Sequence, residues 1–214
     1  TAGPRTIIIP ILNIYGTGAR VQKELPDCTV LDGCIYVSAS LEHPGVLVQH
    51  GPILRVVFGP RDPSYISPIL SAIQSDLCES GIDGVLSTHI QRDALEKFSY
   101  VSPIGAAGVY LHAVAGDFQK EGAARELFKS MIREISALAA AMGYPFEKDY
   151  VKINLEILSN LSADATTSMQ RDIMEGKPSE LDGLVMEPLR LAKKYSVSMP
   201  CYEEVANVLC PLEF

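Results

Sequence analysis

The stretch SMQRDIMEGKPSELDGL (residues 168–184) places polar side chains on both sides of a break between two predicted helices. Ser179 and Asp182 have the spacing of a capping box, which satisfies backbone amides at a helix start. In this interpretation Glu180 is an acid of the first helical turn, where the helix dipole stabilises it. The alternative is that Ser168 and Glu180 face the same break and form a site there.

Two more polar residues lie where a ligand could bind. Asn13 ends the apolar run RTIIIPILN, and ligands of open α/β sheets gather at the carboxyl ends of strands. The alternative is an asparagine that only caps its own turn. Lys97, in DALEKF, is either an ordinary solvated lysine or part of a cleft. Because Leu95 and Phe98 are expected to pack inward, the stem of Lys97 can run along the edge of a domain junction.

The sequence lacks the motifs of several enzyme classes. It has no G-x-S-x-G elbow, no P-loop and no cluster of His, Asp or Glu with metal-ligand spacing, so we expect no metal. A complete G-x-G-x-x-G is also absent. The stretch YGTGARV supplies Gly16 and Gly18 but has Val21 at the third position, and we interpret it as a loop. Hydrolase and metalloenzyme functions are therefore disfavoured.

Composition narrows the class of partner. The net charge is −8, which argues against a nucleic-acid or anionic-membrane surface. No apolar stretch reaches the roughly 18 residues that suggest a membrane span, and no signal-peptide pattern opens the sequence. The five cysteines show no C-x-x-C spacing, which indicates a reducing, cytoplasmic setting. Nucleic-acid and membrane partners are therefore not expected.

The elements that would position these residues change character near residue 89. Before it the pattern is α/β: a buried parallel strand at 5–13, then an antiparallel meander with a turn at Gly51-Pro52, a helix over 64–81 and a short strand at 84–89. A buried parallel strand this early would need neighbours on its sheet. We therefore expect the chain to be the latter part of a longer protein, with roughly one nucleotide-binding half missing.

From residue 90 the pattern is all-α. One helix is predicted to begin near Asp93, an acceptable N-cap, with a kink at Pro103. The clearest helix covers 123–143 and ends at Gly143. It carries an apolar stripe of Leu127, Phe128, Met131, Ile132, Ile135, Leu138 and Met142. Further helices are predicted near 149–161, 164–175 and 179–195. The predicted domains are thus 1–89 and 90–214.

Three stretches carry landmarks in a specific order. Residues 166–200, TTSMQRDIMEGKPSELDGLVMEPLRLAKKYSVSMP, contain an S-M pair, an Asp, the start G-x-x-S-E-L-D and a helix ending in a Lys with Pro six residues on. Residues 10–51 contain a strand, an Asn and Pro-Gly-x-x-x-x-His, and DALEKF contains a lysine before an aromatic residue. In this order the landmarks resemble the ketopantoate reductase (2-dehydropantoate 2-reductase) family across the whole chain.

That resemblance implies a fold and an activity. The fold would be the tail of a Rossmann-type NADP-binding domain joined to a helical domain of the 6-phosphogluconate dehydrogenase-like type. The activity would be NADPH-dependent reduction of 2-dehydropantoate to pantoate, in pantothenate and coenzyme A biosynthesis. By position, Lys97 matches the catalytic lysine and Glu180 the acid that binds substrate. Ser168 matches the residue near the substrate carboxylate, and Asn13 the strand-end asparagine that contacts the cofactor.

Several positions depart from the family pattern. Val101 and Gly105 stand where the family carries substrate-binding asparagines, and Ile14 replaces the glycine that follows the strand-end asparagine. Pro188 interrupts the last long helix, at a cost of up to about 3 kcal/mol unless it is accommodated. The glycine-rich nucleotide loop is absent from this chain. We therefore do not expect the chain alone to bind NADPH normally or to be active.

Two alternatives remain beside the ketopantoate reductase hypothesis. One is a reductase of another branched 2-keto acid, which Val101 and Gly105 favour. The other is a non-catalytic helical interaction module that has lost cofactor binding. Missing strands would leave a sheet edge exposed, so self-association, for example as a homodimer, is also expected.

Overall fold

The computed structural model describes residues 3–210 and contains two compact units, Thr1–Ala94 and Leu95–Phe214. The first is α/β and the second is all-α, which confirms the predicted fold class. The predicted domain boundary at residues 89/90 stays a prediction. Over the described range, no helix is long and apolar enough to cross a lipid bilayer.

The first unit contains two small sheets. Its elements in chain order are β1 (Ile7–Ile8), α1 (Thr17–Glu24), β2 (Thr29–Val30), β3 (Asp32–His43), β4 (Val46–Gly59), α2 (Pro68–Glu79) and β5 (Asp83–Leu86). β1 pairs with β2 in parallel, as predicted, but it covers two half-buried residues and not the buried strand expected over 5–13. β3 pairs with β4 antiparallel, and β4 pairs with β5 in parallel, so β4 is the central strand of a three-stranded sheet.

The turn of the β3–β4 hairpin was predicted at the wrong dipeptide. His43 pairs with Val46, so the connection is Pro44-Gly45, where Gly45 has φ +86°. Proline followed by a glycine at positive φ is the sequence of a type II turn. Gly51, at φ +85°, instead lies within β4, where the strand register shifts between the partners of Val37 and Ala39. The Gly51-Pro52 dipeptide therefore marks an irregularity inside a strand.

The core of the first unit lies between the sheet and α2. Its buried members are Leu31, Val56, Phe58 and Leu70. The segment after β1 was also predicted incorrectly, because YGTGARV contains the start of a helix: Gly16 is the N-cap of α1, with φ +78°. A Cβ atom at Gly18 would overlap Asp32 Oδ1 and the Leu31 carbonyl, so α1 approaches the start of β3 closely enough to require a glycine.

The remaining elements are helices, of which the first begins in the last residues of the first unit and the others lie in the second unit. They are α3 (Ile90–Tyr110), α4 (Ala115–Gln119), α5 (Ala123–Ala141), α6 (Tyr150–Ser159), α7 (Ser168–Met174), a π-helix (Asp182–Met186), α8 (Glu187–Tyr195) and α9 (Pro200–Leu209). α3 begins three residues before the predicted N-cap Asp93. The Asp93 carboxylate instead accepts a hydrogen bond from Ser87 Oγ at 2.5 Å, and Ser87 Oγ accepts one from the His89 amide at 2.8 Å. α4 and α9 were not predicted as separate helices.

α5 supplies the centre of the helical core. Five residues of its predicted stripe are at most 1% exposed: Phe128, Met131, Ile132, Ile135 and Leu138. Burying each contributes about 1.5–3 kcal/mol relative to an exposed side chain. Gly143 follows the helix at φ +88°, and its amide donates to the Ala140 carbonyl, as expected for a left-handed C-terminal residue. This part of the sequence prediction is confirmed.

Candidate active site

Lys97 lies in the first half of α3, and its neighbours follow the predicted helical phase. Leu95 is 1% exposed and Phe98 3% exposed, whereas Lys97 is half-buried. A lysine with this exposure packs part of its aliphatic stem against the protein. Its environment therefore differs from that of a fully solvated lysine on a helix face, and its catalytic role stays a prediction.

Glu180 is the residue immediately before the helix that starts at Leu181. Its side chain is half-buried, and its carbonyl accepts a hydrogen bond from the Leu184 amide at 2.9 Å. The helix starts later than predicted, so the predicted capping box of Ser179 and Asp182 is wrong. The Asp182 carboxylate accepts two hydrogen bonds from Arg190, each 2.8 Å long.

Ser168 is the first residue of α7, and its side chain is exposed. The capping box lies here rather than at residue 179: Thr167 Oγ1 accepts from the Gln170 amide at 3.2 Å, and Gln170 Oε1 accepts from the Thr167 amide at 2.9 Å. Gln170 is buried, and its Nε2 donates to the Ala113 carbonyl at 2.8 Å. The pattern of a threonine followed three residues later by a glutamine could have predicted this capping box from the sequence.

Two glycines of α3 bring the elements of the candidate site together. A Cβ atom at Gly105 would lie 3.1 Å from Met169 Cε and 3.8 Å from Leu184 Cδ1, and one at Gly108 would lie 2.7 Å from Gln170 Cδ. α3 therefore packs closely against both α7 and the π-helix. The helices that carry Lys97 and Ser168 and the segment that follows Glu180 meet in one unit.

Asn13 belongs to the other compact unit and lies in the bend between β1 and α1, half-buried. Hydrogen bonds hold the nearby segment in place: Tyr15 Oη donates to Gln91 Oε1 at 2.6 Å, and Gln91 Nε2 donates to the buried carboxylate of Asp32. Arg61 Nη1 also contacts that carboxylate, at 3.2 Å. The strand ends at Ile8, five residues before Asn13, so Asn13 is not the strand-end residue that was predicted. Its contact with a cofactor stays a prediction.

Pro103 lies inside α3, and the helix continues past it to Tyr110. Proline has no N–H, so the Ser99 carbonyl, four residues earlier, lacks its usual helical donor. Asn154 of α6 supplies a replacement, because its Nδ2 donates to the Ser99 carbonyl and lies 3.0 Å from both that oxygen and Ser99 Oγ. Asn154 is 1% exposed. The sequence indicated the proline but gave no sign of the asparagine that compensates for it.

Pro188 is accommodated by a change in helix type. The residues before it, Asp182–Met186, form a π-helix in which the Glu187 amide donates to the Asp182 carbonyl, five residues earlier. π-Helical turns are rare and occur frequently at functional sites. Here the π-helix begins two residues after Glu180. Pro188, which departs from the family pattern, therefore follows a π-helix that begins next to the candidate catalytic residue Glu180.

One buried polar group of α3 is unsatisfied. Within the described residues, Tyr100 Oη is buried without a hydrogen-bond partner, and its ring contacts Phe128 edge-on with centroids 6.0 Å apart. Burial raises the pKa of the Tyr100 hydroxyl to about 12. Within the same residues, no group of three or more His, Cys, Asp or Glu side chains could hold a metal ion.

Comparison with known proteins identifies the family. The model of the family described as "Ketopantoate reductase PanE/ApbA C terminal" matches residues 89–213. The chain is 22% identical over 200 residues to the uncharacterized oxidoreductase YkpB of Bacillus subtilis, covering 94% of this chain and 66% of that protein. It is 21% identical over 198 residues to 2-dehydropantoate 2-reductase of a Nostoc species, covering 91% and 61%. It therefore spans less than two thirds of these relatives.

Solved structures share the fold. 2-Dehydropantoate 2-reductase from Methylococcus capsulatus superposes with a TM-score of 0.86 at 23% identity, covering 99% of this chain and 67% of that one. D-mandelate dehydrogenase in complex with NADH superposes with a TM-score of 0.81 at 18% identity, covering 95% and 69%. The family match spans more than half of the residues and includes the helices described above. The chain therefore belongs to the ketopantoate reductase PanE/ApbA family of oxidoreductases.

Proposed function

We propose that the protein containing this chain catalyses NADPH-dependent reduction of 2-dehydropantoate to pantoate. The observation that carries the proposal is the close packing of α3, α7 and the π-helix, since these elements bear or adjoin Lys97, Ser168 and Glu180. The family match covers all three residues. The similarity to a 2-dehydropantoate 2-reductase extends over 91% of the chain and supports the same activity.

Lys97 is the proposed proton donor. The C2 ketone oxygen gains negative charge as the carbonyl is reduced, so a positioned ammonium stabilises the transition state more than the bound ketone. Lys97 then transfers a proton from Nζ to that oxygen, which forms the hydroxyl of the product. The half-burial of Lys97 fits this role, because an aliphatic stem packed against the protein restricts where the ammonium can lie.

Glu180 and Ser168 are the proposed substrate-binding residues. Glu180 would accept a hydrogen bond from the substrate hydroxyl and orient Lys97, and Ser168 would hydrogen-bond the substrate carboxylate. Both lie at helix starts, with Glu180 just before Leu181 and Ser168 first in α7. Residues at such positions are fixed by the hydrogen bonds of the first helical turn. Glu180, whose carbonyl accepts from the Leu184 amide, is an example.

The residues near Asn13 fit part of a nicotinamide dinucleotide. Asn13 and Gly16 lie between β1 and α1, a Cβ atom at Gly16 would meet nothing within 4 Å, and no acidic residue occupies the first turn of α1. Asn13 would hold the cofactor through its side-chain amide, and the open backbone at Gly16 would tolerate a ligand close by. The cofactor, when bound, supplies the hydride. NADPH rather than NADH remains part of the proposal.

The test is oxidation of NADPH by the full-length protein in the presence of 2-dehydropantoate, with NADH assayed in parallel. We expect turnover with NADPH and formation of pantoate. Binding of NADPH without turnover would point to a different keto acid. Absence of nicotinamide binding would overturn the proposal and favour a non-catalytic helical module.

A reductase of another branched 2-keto acid is the second candidate, and Gly105 favours it. A Cβ atom at residue 105 would lie 3.1 Å from Met169 Cε, so this position is a packing contact of α3. Neither Gly105 nor Val101 provides an amide for a substrate hydroxyl. The fold is shared with a D-mandelate dehydrogenase, which shows that it accommodates other dehydrogenases.

A pair of near-isosteric substrates separates the two candidates. 3,3-Dimethyl-2-oxobutanoate differs from 2-dehydropantoate by lacking the terminal hydroxyl. A site that hydrogen-bonds this hydroxyl rejects the analogue strongly, whereas an apolar site does not. A kcat/KM ratio above about 1,000 in favour of 2-dehydropantoate would support the first candidate. A ratio near one, or below it, would support the second.

A further inference from the structure

Leu184 is hydrogen-bonded through both its backbone amide and its backbone carbonyl. Its amide donates to the Glu180 carbonyl at 2.9 Å, and its carbonyl accepts from Ser102 Oγ at 2.6 Å. Ser102 lies on α3, five residues after Lys97, a rise of roughly 7.5 Å along the helix. A short chain of hydrogen bonds therefore joins the backbone of Glu180 to the helix that carries Lys97.

The sequence creates a need for this bond. In an α-helix the amide of residue 188 would donate to the carbonyl of residue 184, but residue 188 is a proline and has no N–H. Leu184 is only 2% exposed, so water has little access to its backbone. Buried carbonyl groups are almost always paired. The Ser102 hydroxyl provides the donor that Pro188 cannot.

Tyr202 fixes the direction of the Ser102 hydroxyl. Tyr202 Oη lies 2.5 Å from Ser102 Oγ, and the single hydroxyl proton of Ser102 is directed to the Leu184 carbonyl. Tyr202 is therefore the donor to Ser102. Burial raises the pKa of the Tyr202 hydroxyl, so Tyr202 keeps its proton at physiological pH. Its own amide donates to Glu134 Oε2 at 3.1 Å, which ties the start of α9 to α5.

We propose that Ser102 is a positioning residue of the active site: its hydroxyl holds the π-helix after Glu180 at a fixed distance from the part of α3 that bears Lys97. The inference rests on the proposed function, since it assigns Ser102 to the placement of Glu180 relative to Lys97. Ser102 acts through the Leu184 peptide and needs no contact with substrate. Without the bond, the π-helix can shift relative to α3 and the proton donor and substrate-binding acid lose their mutual geometry.

Ser99 provides a matched control. It is on the same helix and fully buried like Ser102. Its hydroxyl donates to the Glu96 carbonyl at 2.7 Å and accepts from Asn154 Nδ2 of α6 at 3.0 Å. Ser99→Ala and Ser102→Ala remove the same atom from equally buried positions. Only the second substitution removes a bond to the π-helix.

The experiment compares steady-state kinetics and NADPH affinity of the full-length wild type, Ser102→Ala and Ser99→Ala. For Ser102→Ala we expect kcat to fall about tenfold or more, with the dissociation constant for NADPH changed less than about twofold. For Ser99→Ala we expect both values within about twofold of wild type. Hydrogen exchange of residues 181–187 should accelerate in Ser102→Ala alone.

Three other results are possible, and each would have a different meaning for Ser102 or for the proposed function. Full activity of Ser102→Ala overturns the positioning role and leaves the proposed function standing. Equal losses in both variants, accompanied by equal losses in thermal stability, show that Ser102 is only structural. Failure of the wild type to reduce any 2-keto acid overturns the proposed function itself, and the positioning role with it.

Discussion

The surroundings of Pro103 and Pro188 show two ways in which a helix tolerates a proline. At Pro103 the helix stays α-helical, and the Ser99 carbonyl is satisfied by the Asn154 side chain. At Pro188 the preceding residues form a π-helix, and the Leu184 carbonyl is satisfied by the Ser102 hydroxyl. Both donors come from a different helix and are buried.

The difference lies in what each arrangement positions. The Pro103 arrangement joins α3 to α6 through Ser99, two residues after Lys97, and we expect it to hold the helical core together. The Pro188 arrangement joins α3 to the segment that begins beside Glu180. The hydrogen bond from Asn154 is therefore expected to stabilise the fold, and the hydrogen bond from Ser102 is proposed to fix the geometry of the active site. These two roles predict different consequences when Asn154 or Ser102 is replaced.

The largest effect on stability is expected for Asn154→Leu. This substitution keeps a similar volume but leaves the Ser99 carbonyl without the Asn154 donor. A buried polar group left unpaired costs about 1–3 kcal/mol. We expect the free energy of unfolding in urea to fall by about 2–3 kcal/mol, with kcat of the folded enzyme within about twofold of wild type.

Asn207→Leu, at an exposed position of α9, is the matched control and should change stability by less than about 0.5 kcal/mol. A large loss of kcat in Asn154→Leu, with stability unchanged, would reverse the roles assigned to the two prolines.

A smaller effect is expected when a backbone donor is restored at residue 188. In the Ser102→Ala background, Pro188→Ala supplies an amide that can donate to the Leu184 carbonyl in place of the lost hydroxyl. We expect the double variant to recover about 1 kcal/mol of stability relative to Ser102→Ala. Pro188→Ala alone should gain little, because the carbonyl is already paired. A double-mutant cycle of urea unfolding measures this coupling, and strictly additive effects would contradict it.

The smallest effect concerns Tyr100, the buried polar side chain of α3 that lacks a partner. Its pKa is raised by burial to about 12, whereas an unfolded tyrosine titrates near 10. Above pH 10 the unfolded chain releases this proton and the folded chain retains it, so stability is lost as pH rises from about 10 to 12. At pH 11 this amounts to about 1 kcal/mol. We compare urea unfolding at pH 8 and pH 11, about two units below and about one unit above the unfolded pKa. The loss of stability between these two pH values should be smaller by this amount in Tyr100→Phe than in the wild type. An identical loss in both proteins would contradict the assignment.

The sequence predicted what depends on local pattern. The apolar stripe of α5 identified the helical core, and the continuous run ending at Asn13 identified a parallel strand. The turn at Pro44-Gly45 was missed because Gly51-Pro52 carries a similar turn signal, and only the pairing of His43 with Val46 distinguishes them. Thr167 and Ser179 are each followed three residues later by a residue that could complete a capping box, and of these two Thr167 forms one. The start of the helix after Glu180 was therefore predicted too early.

The local sequence pattern could not predict the polar contacts around the two prolines. Ser102 and Leu184 are 82 positions apart, and Asn154 is 55 positions from Ser99. Nothing near Pro188 in the chain indicates which side chain will replace its missing donor. Such long-range partners follow from packing, which here depends on the small residues Gly105 and Gly108 letting α3 approach its neighbours.

The proposed function depends most on Lys97 as the proton donor in reduction of a 2-keto acid. The most direct measurement is kcat/KM of the full-length Lys97→Ala variant beside Lys120→Ala, which removes an exposed lysine just after α4. We predict that Lys97→Ala lowers kcat/KM by between about 100-fold and 10,000-fold, while Lys120→Ala stays within about twofold of wild type. Equal activity of the two variants would show that Lys97 is not the proton donor.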